Sequence, residues 1–525
     1  MKLLKKINKN LFYIFLFIFT ILGIFLSLKV GITHDEPFDL SVWEGNKNKI
    51  FNYIFKKDLD VSILDGGGKF YGSGFHYISS IFEPFFKQIY LISSYGAEAK
   101  NLISKHATVF IFFTVSSIFF RKILLVLSKN KSFSNFGTIF YLSYPYLIGH
   151  SFFNLKDVPF LSVWLICTYY IIRISKKFFE RNIILKKHIL ILGSLIGYLL
   201  SIRISGVLIG IQLLIFLLIF LDSTKTSFFN FIRNFYKQVF LLLATSLFIF
   251  ILLQPSYWTN PFLIFDSIKF MSQHLQTVCT ITLGECMKAQ NLPSSYLPIW
   301  FFFKLPILIL ISLFLYPLTE KKINQNRKNS NVISSIALTI FLIISLLIIF
   351  EVNLYDEIRQ VMFLIPLIFI ISLYFLFIYS NKFFKILVPL FTIYFIFQNI
   401  LIYPYNYIWV NNFSHISKVN GVFELDYWGV SSKKIADYLN NKAIDLNACI
   451  ISNRNNGLKP FMSADQCFLA FDNLHKKLER PFYVGLMERA TRKGTPNKCE
   501  LIHLETEKIN FSREELTLAK LYKCN

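Results

Sequence analysis

The stretch LFYIFLFIFTILGIFLSLKV, residues 11–30, decides the fold class of this chain. It is long enough to cross the membrane, since about 20 mostly apolar helical residues span about 30 Å of hydrocarbon. Lys2, Lys5, Lys6 and Lys9 precede it, as in a secretory signal, but the run is long and lacks an obvious small-residue cleavage site. We therefore expect a retained first membrane span with its N-terminus in the cytoplasm.

The composition of the whole chain agrees with a membrane protein. The chain is 54% hydrophobic and only 16% charged, whereas soluble domains carry about 25% charged residues. Its net charge of +24 would suggest a nucleic-acid-binding protein if the chain were soluble. Its Lys and Arg residues, however, cluster in short loops between apolar runs, where the positive-inside rule places them in the cytoplasm. We expect membrane lipids as partners and no nucleic acid.

The alternation of apolar runs and basic loops predicts about eleven transmembrane helices. Inward turns contain basic groups such as Arg121-Lys122 and Lys321-Lys322, while the short outward turns hold little beyond Lys156, Arg203 and Arg359. This asymmetry favours one consistent topology with the C-terminal region outside. The fifth and sixth spans bracket Arg203 and have the least sharply defined boundaries.

The chain divides into two predicted domains. Residues 1–403 form an all-α polytopic membrane bundle with large outward loops at residues 31–103 and 255–297. From residue 404 onward the apolar runs shorten to about 4–8 residues, which is typical of strands. Residues 404–525 are therefore predicted to form a small C-terminal extracytoplasmic α/β domain.

Cysteine usage tests this topology independently. Six of the seven cysteines lie in segments predicted to face outward: Cys279, Cys286, Cys449, Cys467, Cys499 and Cys524. Even numbers of outward cysteines fit an oxidising compartment. We predict a local Cys279–Cys286 disulfide and leave three pairings open for the other four. A zinc site is the alternative, although no CxxC spacing is present.

Three outward clusters carry charged residues near the predicted membrane surface. They are Thr33-His34-Asp35-Glu36-Pro37, Asn154-Leu155-Lys156-Asp157-Val158-Pro159 and Tyr355-Asp356-Glu357-Ile358-Arg359. Two carboxylates at the mouth of a bundle can supply a general base, and an arginine can form paired hydrogen bonds with a phosphate. Each cluster also has a simpler interpretation: solvation of a helix end, helix capping by Asp157, or an interfacial position for Arg359.

The order and sidedness of these clusters resemble those of the GT-C superfamily of membrane glycosyltransferases. The resemblance is closest to the family 39 group, which is protein O-mannosyltransferase-like and aminoarabinose-transferase-like. Two further stretches resemble bacterial members: Gln254-Pro-Ser-Tyr-Trp-Thr-Asn-Pro261 and Phe423-Glu-Leu-Asp-Tyr-Trp-Gly-Val-Ser431. The sequence departs from the family at Leu155, where relatives often have proline, and at Gln360, where histidine is common.

The resemblance implies an inverting transfer of a sugar from a polyprenyl-phosphate donor to an acceptor hydroxyl on the periplasmic side. Asp35 would be the general base. Glu36 and Asp157 would position the acceptor or a metal. A divalent cation, Mg²⁺ or Mn²⁺, stays open as a cofactor, with Asp35 and Asp157 as its candidate ligands.

The resemblance also assigns the residues that contact the donor. Arg359, with Arg203 and Lys156, would hold the lipid phosphate as it leaves, because a leaving phosphate needs cationic stabilisation. The substrate cleft would be lined by His34, Tyr257, Trp258 and Tyr355. The acceptor is a lipid, a glycan or a protein.

Two functions from other classes compete with this interpretation. One is a transporter or flippase for a lipid-linked or anionic solute, and the other is a non-catalytic assembly protein that presents its outer domain. Transporters usually carry ionisable residues near the bilayer midplane and internal repeats, whereas the charged groups here gather at one face. The cysteine-containing C-terminal region and the Ile-, Lys-, Asn- and Phe-rich composition indicate a bacterial inner membrane protein with a periplasmic C-terminus.

Overall fold

The computed structural model describes most of the chain. The described segments are residues 2–56, 66–416, 418–442, 448–472, 481–487 and 495–524, without the side chains of residues 2–10, 66, 415 and 416. Residues 57–65 of the predicted outward loop 31–103 therefore lie outside the description, as do the side chains of the four N-terminal lysines.

Helices dominate the part of the chain that precedes residue 404, and most of the strands follow it. In chain order the α-helices are α1 (Lys2–Ser27), α2 (Glu36–Phe51), α3 (Gly74–Lys87), α4 (Ala97–Ser128), α5 (Lys131–Ser143), α6 (Pro145–Ser151), α7 (Asp157–Arg181), α8 (Lys186–Ile202), α9 (Ile209–Thr224), α10 (Phe228–Leu252), α11 (Leu263–Ser272), α12 (Tyr296–Lys304), α13 (Ile307–Leu313), α14 (Tyr316–Asn324), α15 (Arg327–Ile349), α16 (Ile365–Tyr379), α17 (Asn381–Leu401), α18 (Ser432–Asn441) and α19 (Asn455–Leu458). The strands are β1 (Cys279–Thr282), β2 (Glu285–Lys288), β3 (Cys449–Ser452), β4 (Phe468–Leu469), β5 (Phe482–Met487), β6 (Cys499–Glu507) and β7 (Leu516–Cys524).

Seven continuous helices of the described segments are long and apolar enough to cross a membrane. They are α4, α7, α9 with its leading turn (Ile204–Thr224), α10, α15, α16 with its leading turn (Arg359–Tyr379), and α17. An eighth span is formed if α12 and α13, which are bent by 118°, count as one broken helix. The predicted all-α membrane bundle is confirmed, and the chain is an integral membrane protein.

The other predicted spans are short or broken helices. The apolar part of α1 is Leu11–Ser27, and α8 has 17 residues. The predicted third span is divided into α5 and α6, because Pro145 begins a new helix after the extended residue Tyr144. A proline lacks the N–H that would continue the preceding helix, and it restricts the residue before it to extended conformations.

The C-terminal segment forms a small α/β unit, as the short apolar runs predict. Its five-stranded sheet has the order β4-β3-β5-β7-β6, with β3 parallel to β4 and β5, and β7 antiparallel to β5 and β6. Helix α18 buries Ile435, Ala436 and Leu439 against it. Disulfides Cys449–Cys467 and Cys499–Cys524 select one of the three pairings left open by the sequence.

Candidate active site

The first acidic cluster lies where the chain leaves α1 and enters α2. Asp35 is the residue before α2, but its side chain makes no capping hydrogen bond, and Pro37 lies in the first turn, where proline is tolerated. The Asp35 side chain is 47% exposed. The His34 N–H donates to the carbonyl oxygen of Trp428 at 3.1 Å, which fixes the segment before Asp35 against the C-terminal part of the chain. Asp35 is thus an accessible carboxylate on a backbone that is held in place.

Glu36 lies inside the bundle, unlike its exposed neighbour. Its Oε1 accepts the Thr33 N–H at 2.8 Å, and its Oε2 is 2.8 Å from Nε2 of His106 on α4. Nδ1 of His106 lies 3.2 Å from the carbonyl oxygen of Ser27, and a carbonyl can only accept, so Nδ1 donates there. Glu36 and His106 together connect the loop between α1 and α2 to α4.

Asp157 is the first residue of α7, but another residue caps this helix. The Oδ1 of Asn154 accepts the N–H groups of Asp157 at 2.8 Å and Lys156 at 3.2 Å. The Nδ2 of Asn154 donates to Asp157 Oδ2 at 3.0 Å. The buried Asp157 carboxylate is therefore left to contact cations rather than helix amides.

Two arginines converge on that carboxylate. Arg203 Nη1 pairs with Asp157 Oδ1, and Arg359 Nη1 lies 3.6 Å from Asp157 Oδ2. Arg359 Nη2 also lies 3.0 Å from Asp356 and 4.0 Å from Asp35. Opposite charges thus alternate through the cluster, and Asp35 is its accessible end.

Aromatic rings hold the Arg359 guanidinium in its plane. Its central carbon lies 4.9 Å from the ring centroid of Tyr355 and 4.4 Å from that of Trp428. Arginine packs on aromatic faces in this way while its N–H groups stay available for hydrogen bonds in the plane of the guanidinium. Tyr355, one of the predicted cleft residues, therefore contacts the cation predicted to bind phosphate.

The backbone before Arg359 is strained. Asp356 and Glu357 have φ angles of 55° and 66°, a region that residues other than glycine rarely occupy. The side chain of Glu357 is buried, and its Oε1 pairs with Lys304 Nζ at 2.8 Å. Burial raises the pKa of the Glu357 carboxyl to about 8, against the opposing effect of Lys304. Such strain persists only where surrounding contacts hold the backbone in place, and the buried Glu357–Lys304 pair is one of these contacts.

A disulfide-closed hairpin supports the same segment from the other side. Strands β1 and β2 are joined by the Cys279–Cys286 disulfide. The Asp356 N–H donates to Thr280 Oγ1 at 2.7 Å, and Ile281 exchanges hydrogen bonds of 2.8 and 2.9 Å with Glu424. The hairpin therefore connects the Arg359 segment to the 423–431 stretch that supplies Trp428.

Replacing Cys279 and Cys286 with serine is expected to lower both stability and activity. Loss of a disulfide that closes a seven-residue loop removes about 2 kcal/mol by the chain-entropy relation, and Asp356 loses its support. Thermal unfolding of the purified protein measures the first effect, and the rate of the sugar transfer that the sequence resemblance implies measures the second. The matched control is the serine double variant of Cys449 and Cys467, which should lower stability with less loss of activity. Equal activity in both variants would contradict a supporting role for the hairpin.

Lys156 lies beside this cluster and has contacts of its own. Its Nζ pairs with Asp39 on α2 and lies 4.3 Å from the ring centroid of Tyr71. Gln254 Nε2 donates to the Tyr71 carbonyl at 2.8 Å, and the Tyr71 hydroxyl is 2.7 Å from His274 Nε2. The 254–261 stretch thus positions, through Gln254, the ring on which Lys156 rests.

The other predicted cleft residues occupy different surroundings. Tyr257 is fully buried and its hydroxyl bonds to Ser267 on α11, while the Trp258 indole donates to the Ile251 carbonyl at 2.8 Å. Both contacts connect the stretch to α10 and α11 rather than to the charged cluster. His34 is half-buried next to Asp35, and burial lowers its pKa.

Comparison with known proteins identifies the fold. A scan against protein-family models gives no match, and neither does a comparison with curated protein sequences. Among solved structures, ArnT from Cupriavidus metallidurans bound to undecaprenyl phosphate superposes with a TM-score of 0.51, at 10% identity over 98% of each chain. The chain has the fold of ArnT. The same protein in the apo state gives a TM-score of 0.49, again at 10% identity over 98% of each chain.

The ArnT fold agrees with the predicted membrane bundle followed by a small C-terminal α/β domain. The match extends over both the helical part and the C-terminal segment, since it covers 98% of this chain. The clusters that carry the resemblance in sequence meet at one end of this fold. A continuous series of contacts joins Asp35, Lys156, Asp157, Arg203 and Arg359, and Asp39 completes it through its ion pair with Lys156 and its backbone hydrogen bond to Asp35.

Some residues of this candidate site are not predicted from the sequence. Asp39 follows Asp35 by one helical turn, so its i, i+4 spacing could have placed it on the same face. Lys304 interrupts an apolar run, and an ionisable residue in such a run is by default a functional candidate. For His106, nothing in the local pattern points to Glu36.

The side chains at the centre of the charged cluster do not fit a divalent cation. Both Asp157 oxygens face guanidinium groups, so a metal at Asp35 and Asp157 would have to displace Arg203 and Arg359. Within the described ranges no group of three or more His, Cys, Asp or Glu side chains is arranged to hold a metal. No step is therefore assigned to Mg²⁺ or Mn²⁺.

Proposed function

We propose that this chain is a membrane glycosyltransferase that moves a sugar from a polyprenyl-phosphate donor to an acceptor hydroxyl. The observation that carries the proposal is the exposed Asp35 carboxylate 4.0 Å from the Arg359 guanidinium. A base and a cation side by side are what such a transfer needs, one for the incoming hydroxyl and one for the leaving phosphate. The ArnT fold supports the proposal, because the superposed ArnT structure holds undecaprenyl phosphate.

Asp35 acts as the general base in the proposed reaction. The acceptor oxygen attacks the anomeric carbon while Asp35 takes the hydroxyl proton. The bond between the anomeric carbon and the phosphate oxygen breaks, and its electron pair leaves with the polyprenyl phosphate. Attack from the side opposite the phosphate inverts the configuration of the sugar.

The three cations stabilise the negative charge that develops on the leaving phosphate. Arg359 offers a guanidinium in a fixed plane, and Arg203 lies on the other side of Asp157. Lys156 adds a third charge next to the Tyr71 ring. Donors fixed before the reaction stabilise developing charge without reorganisation. Asp157 is then a positioning residue that sets the distance between the two arginines.

The Glu36–His106 pair positions the base. Replacing His106 with phenylalanine is expected to lower kcat about tenfold, because a displaced reacting group loses effective concentration, while donor affinity stays unchanged. Steady-state kinetics and donor binding on the purified variant measure both. Glu36→Gln, which keeps the acceptor for the Thr33 N–H, should be milder. A change in donor affinity alone would assign the pair to donor binding instead.

The proposed location is a bacterial inner membrane with the active site on the periplasmic side. The N-terminus is then cytoplasmic, and residues 404–525 form a periplasmic domain beyond the membrane domain of residues 1–403. Three disulfides, in the hairpin and in this second domain, support an oxidising compartment. The acceptor that enters from this side is a lipid, a glycan or a protein.

The proposal is tested with the purified full chain in lipid nanodiscs. Polyprenyl-phosphate sugars of several kinds are supplied with an extract of bacterial envelope glycolipids and glycoproteins. We expect acceptor-dependent release of polyprenyl phosphate for at least one sugar. The same chain is also reconstituted in sealed vesicles. If it moves intact donor across their membrane and cleaves none of it in either preparation, it is a flippase and the proposed transfer is wrong.

A further inference from the structure

Asp39 pairs with Lys156 beside the proposed site for the donor phosphate. We infer that Asp39 is a positioning residue whose carboxylate competes with the donor phosphate for Lys156, so that it sets donor affinity. The inference rests on the proposed function and adds a residue that neither the sequence clusters nor the reaction uses. The ligand concerned is a phosphodiester, the group that joins the polyprenyl chain to the sugar in the donor.

The geometry brings the carboxylate and the lysine together at one side of the cluster. Asp39 lies one turn into α2, where its N–H donates to the Asp35 carbonyl at 3.0 Å. It is 5% exposed, whereas the side chain of Lys156 is 23% exposed. Tyr71 covers another face of the Lys156 ammonium, at 4.3 Å from the ring centroid. The lysine is thus anchored by a buried carboxylate and a ring and keeps a solvent-accessible part.

Several charged and titratable groups surround Asp39. They are Lys156 at the start of α7, Asp35 and Glu36 at the start of α2, Tyr71 in the loop before α3, and Arg203 after α8. Burial raises the pKa of the Asp39 carboxyl to about 6, with Lys156 opposing the shift and Asp35 adding to it. Asp39 therefore loses its charge just below neutral pH.

Binding of a phosphodiester would then be linked to protonation of Asp39. A negative charge placed on Lys156 disfavours the nearby carboxylate, so the pKa of Asp39 rises further above 6 in the complex. Binding accordingly takes up a proton at neutral pH, and affinity increases as pH falls through this range. A rise of one unit in the pKa of Asp39 on binding corresponds to about a tenfold change in affinity. The phosphodiester keeps one charge throughout, so the ligand contributes no pH dependence of its own.

The test compares Asp39→Asn with the natural chain. Asparagine keeps the shape and an acceptor oxygen for Lys156 but removes the competing charge. The probe is the methyl ester of undecaprenyl phosphate, and its affinity for the purified full chain is measured at pH 5 and pH 7.5. We expect the natural chain to bind about tenfold more tightly at pH 5. The Asn variant should bind equally at both pH values and match the natural chain at pH 5.

Two further variants and a transfer assay make the outcome decisive. Asp266→Asn removes an exposed carboxylate from α11 and should keep the pH dependence of binding. Lys156→Gln should weaken binding of the probe and abolish its pH dependence. If the Asp39 variant melts normally but binds no better than the natural chain at pH 7.5, the inference is wrong and the transferase proposal stands. If the natural chain neither binds the probe nor releases polyprenyl phosphate, the proposed function fails and the inference falls with it.

Discussion

Asp35→Asn is expected to reduce the rate of sugar transfer by about 10²–10⁴-fold, the usual contribution of a general base. Asparagine has nearly the same shape as aspartate but cannot accept the acceptor's proton at neutral pH. The side chain is half exposed and makes no capping hydrogen bond, so the fold should tolerate the change. Donor binding should be unaffected or slightly stronger, since one negative charge near the phosphate is removed. Single-turnover transfer from a radiolabelled donor, with donor affinity measured in parallel, separates the two effects.

Glu44→Gln provides the matched control for this experiment. Glu44 lies on the same helix, α2, and its side chain is 50% exposed and pairs with Lys47. Glu44→Gln removes one negative charge from α2, as Asp35→Asn removes one next to it, but Glu44 contacts no residue of the candidate site. Transfer by Asp35→Asn at the rate of the Glu44 variant would exclude Asp35 as the base of the reaction.

Arg359→Lys is expected to lower kcat/KM by about 100-fold. Lysine keeps the charge, but it has no planar fork to contact Asp157, Asp356 and a phosphate together. The stacking against Tyr355 and Trp428 is lost as well. In the proposed reaction the cation acts mainly on the leaving phosphate, so most of the loss should fall on kcat, where removing one preorganised donor typically costs about 10²–10³-fold. Steady-state kinetics over a range of donor concentrations resolve kcat from KM.

Arg173→Lys serves as the control for the loss of an arginine. Arg173 lies on the exposed face of α7, far along the helix from its first residue, Asp157. Its replacement should leave kcat and KM as they are. An Arg359→Lys enzyme with unchanged kcat and a higher KM would show that Arg359 binds the ground-state donor and does not stabilise the transition state.

Much of the architecture can be predicted from the sequence, because hydropathy and charge asymmetry act locally. The apolar run of α15 identifies a span without reference to the rest of the chain, and Lys and Arg in the connecting loops predict its orientation. The breaks are harder to predict. Pro145 divides one predicted span, and Pro306 lies between α12 and α13, where an apolar run continues through a bend of 118°.

The site could be predicted only as three separate clusters. Order and sidedness predict that Asp35, Asp157 and Arg359 meet, and in the structure both carboxylates lie within 4.0 Å of the Arg359 guanidinium. Partners across large sequence distances could not be found in this way. Glu36 and His106 are 70 residues apart, and both look like isolated polar residues next to apolar runs. Their pairing depends on how α4 packs against the first loop, which no local pattern encodes.

The contact between Arg359 and Trp428 has a consequence for how the protein is made. Trp428 follows the last membrane helix, so ribosomes synthesise it after every helix of the bundle. Asp35, by contrast, emerges directly after the first. In the proposed topology the catalytic centre is therefore completed only once the last helix has been inserted and the following segment has been exported. A nascent chain stalled between Arg359 and Trp428 would already hold Asp35 and both arginines, but it would lack the second of the two rings that pack on Arg359.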